Sequence, residues 1–382
     1  MIGGFRITGW IFAIMLALAP MMYLIETAPD RFPLRTWVPW MLIVLLSLIW
    51  APDLTVAHYQ DALQILTPFV IAPVASKVLH SRERLDRLLR AFEHCLFILL
   101  AALVLNRVFG FELLVRPMSM TAAIVGCVFA SRYREGIAVA LLGWMGCMLV
   151  TTLTGSRMAT LGLLMIWLVL PTYRRPVARL VAVGFIVALG LTLFYSPVFQ
   201  ERFFGDEPGT LADVAAGDFS SAGRFDVWPE LIIEIERRPI LGAGIHESAA
   251  IVGQVWENIG KPHNDYLRIL LEQGVIGLIF FLTGVFLQIA SLWRSGFSKE
   301  DPAGTLRAAA FAGMFVLLLM AVTDNPIVYG VWFMHPLFVL VGAAYSRPGA
   351  NAATVGPTGV RVDGNPGDRT PQSTVLRTRI VP

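Results

Sequence analysis

The feature that most constrains this chain is a succession of long apolar runs joined by short, arginine-bearing links. Eleven runs stand out: Ile7–Ile25, Thr36–Trp50, Ala62–Leu79, Ala91–Phe109, Met118–Ser131, Gly136–Leu153, Met158–Pro171, Val177–Ser196, Tyr266–Leu292, Leu306–Val322 and Ile327–Tyr345. Helix must supply about 20 apolar residues to cross a bilayer core. Unbroken runs of this kind lack the in–out alternation of a membrane β-barrel. Only 15% of the residues are charged and 56% are hydrophobic, against about 25% charged in a soluble domain. The expected fold is an all-α polytopic integral membrane protein, with eleven to twelve transmembrane helices and one large extramembrane loop. Its parts read as an N-terminal transmembrane bundle (1–196), the loop (197–265), C-terminal transmembrane helices (266–345) and a tail (346–382). Pro68 and Pro73 are expected to interrupt the third run. The first run lacks a small-residue cleavage site after it and reads as a span, not a leader.

The net charge of +3 is unevenly spread. Between Pro197 and Asp265 twelve acids face five bases, a balance of −7, which leaves +10 on the rest of the chain. Basic clusters at Lys77–Arg90, Arg132/Arg134, Arg174–Arg179, Arg294–Arg307 and Arg347–Arg379 fall in alternate links. By the positive-inside rule that side is cytoplasmic. The acidic loop, the Thr154–Arg157 turn and Arg116 then face outward, and eleven spans place the N-terminus outside and the tail inside. No basic patch interleaved with aromatics is present, which argues against nucleic acid. Cys95, Cys127 and Cys147 lie within apolar runs without metal or disulfide spacing, as packing residues do. The tail is rich in Gly, Pro, Thr and Arg without an apolar period, and is expected to be disordered.

A loop this long is more than a connection. In DVWPELIIEIERR, residues Trp228, Leu231, Ile232 and Ile235 share a helical face, with Asp226 as N-cap, Pro229 in the first turn and Glu234 paired to Arg238. An amphipathic helix against the bundle or the membrane interface is expected. Gly242 and Gly244 allow a tight turn after it. Then Pro262 stops the preceding structure, Asn264 or Asp265 can cap, and an apolar helix begins. His263 therefore stands at a helix N-terminus, beside free backbone N–H groups. Arg157 breaks an otherwise continuous apolar stretch on the same outer side, where an arginine needs water or an anion. Arg224 precedes the amphipathic helix. Each also has a plain structural reading: Arg157 can snorkel at a span end, His263 can be a simple residue of the helix approach, and Arg224 can pair with Asp226 or Glu230. Together, two arginines and a histidine on one face can form a pocket for a lipid-linked phosphate or diphosphate.

These residues fall in strings that resemble a known family. TGSR at 154–157, GR(x)3W at 223–228, RPILGAG at 238–244 and PHNDYLRILLEQGVIGL at 262–278 are similar to the O-antigen ligase and polymerase superfamily of bacterial envelope glycan enzymes. SLIWAPD at 47–53 and SRERLDRLLR at 81–90 are similar to its N-terminal half. The resemblance covers most of the chain to about residue 345, with H-N-x-x-L-x-x-x-x-E-x-G-x-x-G as its most specific string. The N-terminal region is one span short of the usual twelve, and the tail matches nothing. The resemblance implies a multi-pass protein of the bacterial inner membrane with its active face periplasmic. It implies transfer of a glycan from an undecaprenyl-diphosphate carrier to an acceptor hydroxyl, without cofactor, metal or nucleotide. The acceptor is another carrier-linked repeat in a polymerase, or lipid A-core in a ligase. Membrane lipids, a flippase and chain-length regulator proteins are the further partners implied.

Family motifs map onto Arg157, Arg224 and His263. In this setting Arg157 and Arg224 are expected to bind the diphosphate and stabilise its growing negative charge. His263 is expected to take the proton of the attacking hydroxyl, so that direct displacement inverts the anomeric centre. Arg116 and Asn264 are secondary candidates, and Glu230 and Glu234 are alternative bases. The sequence reading leans to a polymerase of O-antigen or exopolysaccharide, with a ligase as the alternative. A transporter is the rival from a different class. Against it, Glu93, His94, Glu272, Asp324 and His335 lie near span ends and trace no polar pathway across the bilayer.

Overall fold

A computed structural model describes residues 7–110, 115–170, 176–204, 209–216, 224–255, 261–299, 301 and 303–346; the expected tail beyond Ser346 lies outside them. Every regular element among the described residues is a helix. The first eight are α1 (Ile7–Ile25), α2 (Val38–Trp50), α3 (Val56–Val78), α4 (Arg82–Phe109), α5 (Val115–Arg134), α6 (Ala140–Leu153), α7 (Arg157–Val169) and α8 (Pro176–Phe194). Then come α9 (Pro197–Phe204), α10 (Leu211–Ala216), α11 (Arg224–Arg237) and α12 (Glu247–Val255) from the long loop, followed by α13 (Asp265–Arg294), α14 (Gly304–Met320) and α15 (Met334–Ala344). Each of the eleven apolar runs forms a helix, and the protein is an all-α polytopic membrane protein. Three helices, α3, α4 and α13, are long and apolar enough to cross a membrane, and shorter apolar helices of 10–17 residues stand beside them.

Consecutive helices run antiparallel, so the bundle has two chemically distinct ends. At the basic end Lys77 Nζ donates to the Tyr23 carbonyl at 2.7 Å, and Arg84 pairs with Glu26 at 3.2 Å, which ties α1 and α4 to the end of α3. At the opposite end Arg107 donates to the Leu153 carbonyl at 2.7 Å, joining the ends of α4 and α6. That second end also holds the starts of α5, α7 and α13 and all of the loop helices. The interior is built on small residues: Ala122, Ala123, Cys127 and Ala130 of α5 and Ala308, Ala309, Ala310 and Ala312 of α14 are buried, which lets helix backbones approach closely. Cys127 and Cys147 are free and buried there; Cys95 is partly buried. Side-chain amides stitch α13 to its neighbours, with Trp40 Nε1 donating to Gln273 at 2.7 Å and Trp37 Nε1 to Gln288 at 3.2 Å.

Several local expectations change. Helix α3 runs unbroken through Pro68 and Pro73. Tertiary packing overrides the breakers there, with Ile65, Phe69 and Ala72 buried around them. The eleventh run is helical only from Met334, because Asp324-Asn325-Pro326 opens a series of turns. Helix α11 begins at Arg224, so Asp226 lies in its first turn and Pro229 beyond it. Its buried face is Val227 and Leu231, with Trp228 and Ile235 partly covered, while Ile232 is exposed. Glu234 does pair with Arg238, at 3.5 Å.

Helix α13 is broken at Gly274, whose φ of 67° and ψ of −171° are not helical. In an intact helix the carbonyls of Leu271 and Glu272 would accept from the N–H groups of Val275 and Ile276. Instead they accept from Ala243 at 2.6 Å and Gly244 at 3.1 Å, while Val275 and Ile276 donate to Pro239 at 2.9 Å and Ile240 at 3.4 Å. The loop segment 239–244 thus supplies both halves of two missing helical rungs. A Cβ on Gly274 would lie 2.1 Å from the Ile240 oxygen, and one on Gly242 2.5 Å from the Gln273 nitrogen. From Val275 to Arg294 the lower segment is about 30 Å long, a bilayer core's thickness.

Gly274→Ala is expected to lower stability by about 3 kcal/mol or more, from the positive φ and the backbone clash together. Gly296 has a similar φ of 73° with open space around it, so Gly296→Ala is expected to cost about 1 kcal/mol. Thermal unfolding of the two variants in one detergent checks this. Equal losses would show that the interlock adds nothing beyond the backbone angle.

Candidate functional site

The loop reaches the site through α11. Val227 and Leu231 pack with Ala243, Val252 and Leu271, which fastens α11 and α12 onto the upper segment of α13. Trp228, the last residue of the GR(x)3W string, donates its Nε1–H to the Pro262 carbonyl at 2.9 Å. The next residue is His263, 5% exposed and held at φ 53°, a left-handed conformation that is costly outside glycine. Asn264 then caps α13, its side chain accepting from the Leu267 N–H at 3.0 Å. Of the two capping candidates Asn264 therefore serves, and Asp265 does something else.

Asp265 is fully buried and joins the start of α13 to the turns after α14. Its N–H donates to Ala321 O at 2.9 Å, and its Oδ2 accepts from the Ile327 N–H at 2.9 Å. Tyr266 adds a hydroxyl bond to Leu318 O at 2.6 Å. These bonds hold the Asp324-Asn325 turn over the histidine. Asn325 Nδ2 stands 3.0 Å from His263 Nδ1 and Asp324 Oδ1 3.8 Å from the same atom. Arg116 Nη1 lies 2.9 Å from Nε2 and 3.3 Å from Nδ1 of the same ring.

One guanidinium nitrogen this close to both ring nitrogens lies against the imidazole and not along the outward axis of either nitrogen. Asn325 contacts the ring at Nδ1 from the turns after α14, and Arg116, itself exposed, reaches it from the start of α5.

Arg116 and His263 are thus in direct contact. Arg157 opens α7 at the same end of the bundle and is half-buried. Helix α7 packs on α5, which begins beside Arg116, and on α14, which leads into Asp324. Arg224 opens α11, and its side chain lies outside the described residues, so its expected pairing with Asp226 or Glu230 does too. Glu230 is exposed and Glu234 pairs with Arg237 and Arg238, which leaves neither aimed at His263. The described residues contain no cluster with metal-ligand composition.

Sequence reasoning passed over a second polar cluster at this end. Asp61 of α3 accepts from His246 at 2.8 Å, Lys261 at 3.2 Å and Arg268 at 3.4 Å, all on one carboxylate oxygen. Arg268 also pairs with Glu272 at 3.2 Å, and Ser248 donates to the same Glu272 oxygen at 2.5 Å. Glu272 is 1% exposed and lies just before the break in α13, so a residue near a span end belongs to this buried network. Beside it His58 faces Glu247 at 3.8 Å, and burial pushes the Glu247 carboxyl above its usual range, against the pull of His246. The available signal was Asp61 at the head of an apolar helix and Arg268 one turn into another, but only the fold brings them together.

Much of this geometry is carried by a single stretch of the chain. Residues 137–282 match the family model described as O-antigen ligase. This stretch is similar to the O-antigen ligase family. It contains Arg157, Arg224, His263 and the Gly274 interlock; Asp61, Arg116, Asp324 and Asn325 lie outside it. A Rickettsia felis protein provisionally named polysaccharide ligase is 28% identical over 175 residues, 43% of this chain and 40% of that protein. A Pseudomonas aeruginosa protein named O-antigen ligase is 27% identical over 169 residues, 44% of this chain and 36% of its own. The matched stretch spans about two fifths of the length of these relatives.

The contact at Nδ1 is open to direct test. Asn325→Leu is expected to change the ring ¹⁵N shifts of His263, and unchanged shifts would show that the amide does not orient the ring.

Proposed function

We propose that this chain is a membrane glycosyltransferase that moves a glycan from an undecaprenyl-diphosphate carrier to an acceptor hydroxyl, with His263 as the base. One observation carries the reading. Within the stretch that matches the family model, His263 is buried, contacted at Nδ1 by Asn325, and lies against the exposed guanidinium of Arg116. A general base needs a lone pair at the proton it takes, and a diphosphate leaving group needs fixed positive charge nearby. Arg116 supplies such charge at the histidine itself.

The bond broken joins the anomeric carbon to the diphosphate oxygen, and the bond formed joins that carbon to the acceptor oxygen. The hydroxyl proton passes to Nε2 and the diphosphate leaves with the electron pair. Attack opposite the leaving group inverts the anomeric centre. Arg157 and Arg224 bind the diphosphate in this reading, with Arg116 and Asn264 as supporting residues, and no metal or nucleotide is invoked. Below Arg157 an apolar groove of about 160 Å³ lies between α7 and α14, lined by residues such as Gly162, Met165, Phe315 and Val316, and its chemistry suits a short stretch of the carrier's tail. The site lies on the periplasmic face of a bacterial inner membrane, the side opposite the basic links.

The acceptor decides between two branches. The relatives' names favour a ligase, with lipid A-core as acceptor. The sequence reading leans to a polymerase, with a carrier-linked repeat as acceptor, working beside flippase and chain-length regulator proteins. Gels of lipopolysaccharide and secreted polysaccharide from a deletion strain separate them. Bare core with accumulated lipid-linked polymer marks a ligase, and core bearing a single repeat marks a polymerase. His263→Ala and Arg157→Ala are each expected to leave the deletion phenotype uncorrected at normal membrane levels, a loss of about a thousandfold or more in rate. Full correction by both variants would overturn the catalytic assignment.

A further inference from the structure

We propose that Asp61 is a positioning residue for His263, holding the histidine's segment from both sides through a single carboxylate oxygen. The inference rests on the glycan-transfer reading and extends it to a residue outside the matched domain. Lys261, two residues before His263, and Arg268, five residues after it, both donate to Asp61 Oδ2, at 3.2 and 3.4 Å. His246 donates to the same atom at 2.8 Å. His246 and His263 are two of three non-glycine residues at positive φ among the described residues, at 74° and 53°. Such conformations persist only where the surroundings over-determine them. Asp61 is the shared anchor of the segments that carry both.

The carboxylate is 8% exposed and sits on α3, a helix fixed in the bundle by its packing on α15 and α1. It therefore ties the loop approach at Lys261 to the packed helices of the bundle. Arg268 is in turn held by Glu272 at 3.2 Å, which places the anchor's second arm on the upper segment of α13. Three cationic or N–H donors on one oxygen make the charge essential: an amide of the same shape offers one acceptor oxygen without charge, and leaves Lys261 and Arg268 facing one another. These three bonds run to the segments flanking the histidine, so the action of Asp61 on the reaction runs through the placement of His263. A displacement of about 1 Å in a catalytic group can cost about a hundredfold in rate.

The test uses the full chain in lipid nanodiscs, with an undecaprenyl-diphosphate-linked repeat unit as donor. Asp61→Asn is expected to lower kcat by about a hundredfold with the donor KM within about threefold, because the base is displaced while the diphosphate site is untouched. Asp61→Glu is expected to recover kcat to within about tenfold of the unsubstituted protein. Wild-type kcat in Asp61→Asn overturns the proposal, and so does a loss shared with KM and not recovered by Asp61→Glu. Should Asp61→Asn fail to accumulate, Lys261→Met removes one donor and leaves two, and is expected to lower kcat about tenfold at normal protein levels; an unchanged kcat overturns the proposal. Amide hydrogen exchange across residues 263–268 is the readout that does not depend on catalysis. If the unsubstituted protein transfers no glycan, the functional reading fails, and faster exchange of this segment in Asp61→Asn supports the anchor while an unchanged rate overturns it.

Discussion

Two backbone rungs missing from α13 set the terms for the rest of the molecule. A peptide group inside a membrane protein cannot be left without a partner, since neither lipid nor an apolar core offers one. The break at Gly274 would leave two carbonyls and two N–H groups unpaired, and residues 239–244 pair all four. A mere covering of the bundle could slide or lift. This loop is instead registered residue by residue against the helix. Helices α11 and α12 inherit that register through their apolar contacts with Ala243 and Leu271, and Trp228 passes it on to the carbonyl before His263.

The histidine itself is assembled from distant parts of the chain. Arg116 comes from α5, Asn325 from the turns after α14, and the backbone from the end of the loop. Each part is secured by its own buried bond, Asp265 for the turns and Asn264 for the helix start. The left-handed conformation at His263 turns the chain directly into its capping residue, so the imidazole is presented at a helix terminus without belonging to the helix. That arrangement suits the proton transfer proposed for His263. The ring's orientation comes from tertiary contacts and does not depend on fraying of the first turn.

The sequence makes the membrane helices legible because apolar run length is a local property and every run became a helix. It also exposes His263 and Arg157, since a polar side chain in so apolar a chain costs free energy unless it meets water or a partner. Local reasoning failed where distant partners decide. Pro68 and Pro73 read as breakers, yet α3 continues through them, packed against neighbouring helices. Asp61 and Arg268 looked ordinary singly, since their meaning lies in a contact across more than two hundred residues. Gly274 was part of a recognised string, but the string gives no hint that it breaks a helix to admit RPILGAG. Asn325 escaped notice because it stands in the short link between the tenth and eleventh runs, and the turns at 321–333 only make sense once Asp265 is seen to hold them.

The shared rungs also bear on how such a protein can be recombined. The strings at 238–244 and 271–276 are separate in sequence but form one hydrogen-bonded object, with each glycine shaped to the other strand's backbone. Neither can be exchanged between related proteins alone, however freely the residues between them vary. A graft of either string has to carry both, and the interval between them, as one cassette.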